Sequence, residues 1–134
     1  NLKLINSNNI KLKLKEMYLF MRSISQMIWS IKHHPSGTHG YINIKNIKVS
    51  NDFLATTPKV WKVREYYKRY FQNGFIDEPI TVRRIKNSKE IELVDGYIRY
   101  LICMTNIYRF QEEFNCTYDK VPSRFKYVPI MWAE

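Results

Sequence analysis

The sequence predicts an α+β domain built on a small mixed sheet, with a helical extension ahead of it. Three observations carry this. Residues 41–49, 79–85, 89–94 and 127–132 alternate or run apolar in strand fashion. Two stretches between them, 58–73 and 97–107, place apolar residues three and four apart, as a one-sided helix does. The strands are interleaved with the helices, which favours one mixed layer structure over an all-helical or all-strand fold.

The 134 residues are one domain's worth of chain, 45% hydrophobic and 15% aromatic, enough for a packed core. With 4 Gly and 5 Pro the composition excludes collagen-like and linker-like chains. Lys and Arg outnumber Asp and Glu by 22 to 12, a net charge of +10, so an anionic partner is expected: nucleic acid, a nucleotide phosphate or an acidic surface. A membrane span needs roughly 20 apolar residues. Arg22 stops the run Tyr18-Leu19-Phe20-Met21, and Ser30 stops Met27-Ile28-Trp29, so no membrane association is expected. Two cysteines make no disulfide scaffold, and no secretory signal is visible, so a reducing, cytoplasmic setting is the expectation. Cys103 lies in an apolar stretch and reads as a small buried hydrophobe.

Residues 1–40 read as a basic extension, with six Lys or Arg against Glu16, and residues 41–134 as the main domain. Ile10, Leu12 and Leu14 alternate with lysines. From Met17 the spacing changes: Met17, Phe20, Met21, Ile24, Met27, Ile28 and Ile31 form one apolar helix face, ended by His33-His34-Pro35-Ser36-Gly37. That helix is expected to pack on the domain or on a second subunit.

In the main domain, Ile42, Ile44 and Ile47/Val49 predict a strand with an irregularity near Asn46. Ser50-Asn51-Asp52 is turn-like and residues 53–57 a loop. Thr57 and Pro58 read as N-cap and first residue of a helix over 58–73, with Val60, Val63, Tyr67, Tyr70 and Phe71 on its packed side. Asn73-Gly74 closes it. Pro79 to Ile85 and Lys89 to Val94 form a hairpin around Asn87-Ser88. Asp95-Gly96 breaks the second strand, and a helix runs from Tyr97 to Ile107. Residues 110–126 read as irregular. Tyr127 to Trp132 is a closing strand, with Pro129 suggesting a sheet edge.

The candidate site is Asp95-Gly96-Tyr97-Ile98-Arg99, where a strand ends and a helix begins at once. Amides at a helix start and the helix dipole favour an anion, Gly96 allows close approach, and Arg99 stands one turn inside to clamp oxygens. A second candidate is the basic, aromatic helix: Lys59, Lys62, Arg64, Tyr66, Lys68 and Arg69, net +4 over 59–69 after Glu65, are expected to contact nucleic acid. Other clusters have ordinary readings. His33, His34 and His39 sit in a Pro-Gly loop without a carboxylate or Cys, so no metal site is assigned. Glu90, Glu92 and Asp95 read as a solvent face, with Mg²⁺ binding as their functional alternative.

The succession of opening strand, helix after Thr-Pro, Gly74, Pro79-Ile80-Thr81-Val82, hairpin, Asp95-Gly96-Tyr97-Ile98-Arg99 and Val128-Pro129-Ile130 resembles the ParB/sulfiredoxin-like superfamily over about residues 42–132. The resemblance implies a ParB/sulfiredoxin-like α+β fold in which the Gly-to-Arg turn holds nucleotide phosphates, CTP in partition proteins and ATP in sulfiredoxins. Gly96 and Arg99 take the phosphate-turn positions, and Thr56, Thr57 and Lys59 stand near the family's arginine box. Tyr97 replaces the catalytic Cys of sulfiredoxins, so reductase chemistry is not expected. The expected function is a nucleotide- or nucleic-acid-binding module, with a nucleoside triphosphate and Mg²⁺ left open as cofactors. A Mg²⁺-dependent nuclease or phosphotransferase using Glu92 or Asp95 is the alternative. A dimerising interaction module, acting through the 17–31 helix, is a further one.

Overall fold

The computed structural model describes residues 35–134, and the expectations for the 1–34 stretch, including its alternating Ile10, Leu12 and Leu14, its 17–31 helix, His33 and His34, lie outside them. Five strands form one mixed sheet: β1 (Gly40–Asn43), β2 (Ile47–Lys48), β3 (Ile80–Arg84), β4 (Ile91–Asp95) and β5 (Tyr127–Trp132), in the order β1-β5-β3-β4-β2. The α+β class is therefore as the sequence predicts.

The expected irregularity near Asn46 determines the shape of the sheet. Residues Ile44–Asn46 form a 3₁₀ turn, capped by Asn43, whose side chain accepts from the Lys45 amide at 3.0 Å. That turn divides the expected single strand in two. β1 pairs with β5 at one edge, and β2 pairs in parallel with β4 at the other. Three 3₁₀ residues advance only about 6 Å, whereas the edges of a flat five-stranded sheet stand about 19 Å apart. The sheet must therefore curl until its edges approach. Ile44, on the turn, is completely buried inside the curl.

β3 and β4 form the expected antiparallel hairpin, with Asn87 at φ 61 in its turn. Asp95 is the last residue of β4, so the strand runs one residue beyond the expected break. β5 corrects the edge assignment of Pro129, because it lies inside the sheet, antiparallel to β1 and parallel to β3. Its first half pairs with β1 at Tyr127 to Ile130, and pairing with β3 begins only at Ile130. Pro129 is thus not asked to donate toward β3, and a missing N–H is tolerated. The unbroken burial of Val128, Pro129 and Ile130 matches an interior strand.

Among the described residues four helices complete the fold: α1 (Asn51–Leu54), α2 (Val60–Asn73), α3 (Tyr97–Phe114) and α4 (Ser123–Lys126). The turn-like Ser50-Asn51-Asp52 opens α1, with the Ser50 hydroxyl accepting from the Phe53 amide. α2 starts two residues later than expected. Pro58 holds Thr57 extended, Lys59 is also extended at φ −65, ψ 131, and it serves as an N-cap without a side-chain bond. Val60 (65% exposed) and Phe71 (48%) face outward, whereas Tyr70 is buried. α3 exceeds its expected end by seven residues, since Ile107, Phe110 and Phe114 continue its apolar spacing until Asn115 turns left-handed at φ 47. The remainder of the expected irregular stretch holds a 3₁₀ turn (Tyr118–Lys120) and α4. α3 packs along α2 and α4, and Phe110 stacks between Phe114 and Phe125. Cys103 is buried as expected, and Cys103 and Cys116 are both free thiols. Among the described residues no helix is long and apolar enough to cross a membrane.

Candidate functional site: a cavity at the start of the long helix

The turn from β4 into α3 is made by one residue. Gly96 has φ 93 and ψ 31, a left-handed conformation that an L side chain resists by about 1–2 kcal/mol. Its amide donates to Asp95 Oδ1 at 2.8 Å, and its carbonyl accepts the Tyr100 amide at 2.9 Å. No side chain caps the helix start beyond that. The amides of the first turn therefore keep the partial positive charge that helix geometry concentrates there.

Arg99 is placed differently from the reaching clamp expected from its position. It folds back beneath the turn and is only 7% exposed. A Cβ at residue 96 would stand 2.9 Å from its Nη2 and 3.0 Å from its Nε, so a side chain there would displace the guanidinium. Nη1 donates to Glu78, just ahead of the Pro79-Ile80-Thr81-Val82 strand, while Nε is buried without a partner. The Glu78 side chain remains 61% exposed. The cation is therefore held by a carboxylate that itself faces water.

Above this turn opens a cavity of about 540 Å³, within the range of small-molecule sites. One wall is Asp95, Gly96, Tyr97, Ile98 and Arg99; the other comes from the α1–α2 connection and the first turns of α2, with Thr57, Lys59, Lys62 and Tyr66. Residues singled out separately in the sequence thus meet across one space. Sequence reasoning missed three further lining residues: Phe53, Trp61 and Glu78. Phe53 packs on the Tyr97 ring at 5.3 Å, and Trp61 is 65% exposed. Their signal was an aromatic on each side of the Thr-Pro entry, readable only once α1 turns the chain back.

The basic helix does not present a single face. Lys59, Lys62 and Tyr66 line the cavity, whereas Arg64 and Lys68 line a separate groove between α2 and α3. Arg69 pairs with Asp77 at 3.3 Å and stacks on the Tyr66 ring. The acidic trio is dispersed as well. Glu90 pairs with Lys48 at 2.7 Å, Glu92 with Arg83 at 2.5 Å, and Asp95 caps Gly96. Among the described residues no three His, Cys, Asp or Glu come together to hold a metal. His39 instead accepts the Trp132 amide on Nδ1 at 3.0 Å.

In chemical terms the cavity offers uncapped helix amides, two lysines and aromatic surface, with Asp95 and Glu78 as its carboxylates. It suits an anionic ligand that carries a flat ring.

No family model and no curated protein matches the chain. Among solved structures it is similar to ParB, the chromosome-partitioning protein of Caulobacter crescentus, in a C-terminally truncated form complexed with CTP-γ-S (19% identity, TM-score 0.43). It is also similar to that protein complexed to the centromeric parS site (19%, 0.41) and to C-terminally truncated SbnI from Staphylococcus aureus (16%, 0.42). Each match covers 70% of this chain, which spans 43%, 38% and 30% of the three matched chains.

Proposed function

We propose that this chain is a binding module for a phosphate-bearing ligand, a nucleotide in the first place. Its phosphates would rest on the first-turn amides of α3 at Tyr97 and Ile98, the Gly96 amide being taken by Asp95, and its base against the aromatic wall. The observation that carries the reading is the meeting of two distant segments. The Gly96–Arg99 turn and the Thr57–Lys62 helix entry, separate in sequence, line one cavity. Lys59 and Lys62 supply charge from the far wall, and Arg99 supports the turn from below. Glu78 and Asp95 oppose an anionic ligand, so the helix amides and the two lysines must outweigh them.

Calorimetry against a panel of nucleoside triphosphates at low salt tests this. The unaltered chain should bind at least one triphosphate. A Lys59→Ala/Lys62→Ala double variant should bind it about tenfold more weakly, equal to about 1.4 kcal/mol. Absence of binding to any triphosphate, or affinity indifferent to the double variant, would overturn the reading. A salt-series titration with duplex DNA separates the nucleic-acid form of the proposal. Tight DNA binding with no triphosphate binding would transfer the phosphate contacts to a polymer backbone.

A further inference from the structure

Apart from the cavity, α2 and α3 leave an apolar groove between them, of about 410 Å³. Its floor is Val63, Tyr67, Leu101 and Ile102, and Thr105 stands exposed on the α3 side. Its rim carries Arg64 and Lys68 from α2 and Arg109 from α3, and none of the residues lining it is acidic. Arg109 is held over the Tyr67 ring at 5.2 Å and donates to the Tyr67 hydroxyl, which places its charge at the groove mouth.

Arg64 and Lys68 are one helical turn apart on exposed surface. Like charges at that spacing repel each other and weaken a helix. An apolar floor between two helices is the shape that receives the apolar face of a third helix, and a rim of cations selects acidic flanks. The chain's own 17–31 stretch has the wrong charge for this: it carries Arg22 and no acid, and Lys15, Glu16 and Lys32 flank it. A second copy, itself at +10, meets the same repulsion. Nucleic acid would find cations there but would also have to cover an apolar floor.

We infer that the α2–α3 groove docks an acidic amphipathic helix of a partner protein, its apolar side chains seated on Leu101 and Val63 and its carboxylates on Arg64, Lys68 and Arg109. This site is separate from the nucleotide cavity and does not depend on it.

The test is fluorescence anisotropy with the full chain. The probes are a labelled helical peptide with a Leu face and Glu elsewhere, its Leu/Lys counterpart, a scrambled Leu/Glu peptide and a short duplex DNA. The Leu/Glu helix should bind at least tenfold tighter than the scrambled and the Leu/Lys peptides. Arg64→Glu/Lys68→Glu, both on exposed surface, should lose that binding at least tenfold and shift preference to the Leu/Lys peptide. Thr105→Arg should also block the groove. Lys59→Ala/Lys62→Ala should leave peptide binding unchanged while it weakens triphosphate binding, so the two sites fail independently. Equal binding of the scrambled peptide, insensitivity to the charge reversal, or DNA binding lost with Arg64 and Lys68 while no peptide binds would each overturn the inference.

Discussion

Gly96 and Arg99 constrain each other more than either constrains a ligand. The glycine is required by its positive φ, and a Cβ there would also displace the guanidinium, 2.9 Å from where it would lie. Gly96→Ala should lower stability by about 1–2 kcal/mol for the backbone alone, with a further loss from displacing Arg99, and urea denaturation reads the total. Cys103 gives a separate residue-scale prediction. Burial pushes its thiol from 9.0 up to about 12, the nearby Arg124 and Arg99 offsetting only part of that. A group whose folded-state value is raised contributes stability that is complete below its unfolded value and is lost as pH rises through the folded one. The chain should therefore lose stability between about pH 9 and 12, and Cys103→Val should flatten part of that decline in urea melts. At neutral pH a maleimide should modify half-buried Cys116 in the native protein and Cys103 only after unfolding.

Among the elements, the ends of α3 behave differently. At its start the uncapped amides are left available to the cavity, so a residue that fills them would be paid in binding. At its end Asn115 sits left-handed at φ 47, ψ 54, with its amide bonded to Gln111. Glycine is the usual residue at such a helix end, so Asn115→Gly should raise stability by up to about 1 kcal/mol with no effect on triphosphate affinity. Thermal melts beside calorimetry check both halves. In α2 the apolar stripe expected of Val60, Val63, Tyr67, Tyr70 and Phe71 is only partly used. Tyr70 enters the core, while Val60 and Phe71 stay exposed. Periodicity identifies a helix and its approximate faces, but the neighbours that arrive from elsewhere decide which apolar residues are covered.

At the scale of the whole molecule, a charge of +10 opposes compaction and attracts anions. Raising ionic strength should therefore raise the melting temperature while it weakens triphosphate binding, because salt screens both interactions. On the proposed reading, phosphate bound at the α3 start should make inorganic phosphate stabilise more than chloride at equal ionic strength. Melting curves in matched chloride and phosphate series give the comparison, and equal curves would count against the cavity.

Much of this was readable from residue order. The hairpin, the two long helices and the Asp95-to-Arg99 turn follow from alternation, 3.6-residue spacing and Gly placement, because those signals come from neighbours a few positions apart. The long-range pairings decided the rest. Pro129 reads as an edge residue until β5 is seen to pair with β1 and β3 along different halves. Arg99 reads as a clamp until Glu78 engages it from 21 positions away. Lys62 and Arg64 read as one basic face until α3 packs against α2 and assigns them to different hollows. Local chemistry determined which elements form. Only the curl of the sheet, set by three residues between β1 and β2, decided which side chains share a cavity, because that depends on distances no stretch of sequence contains.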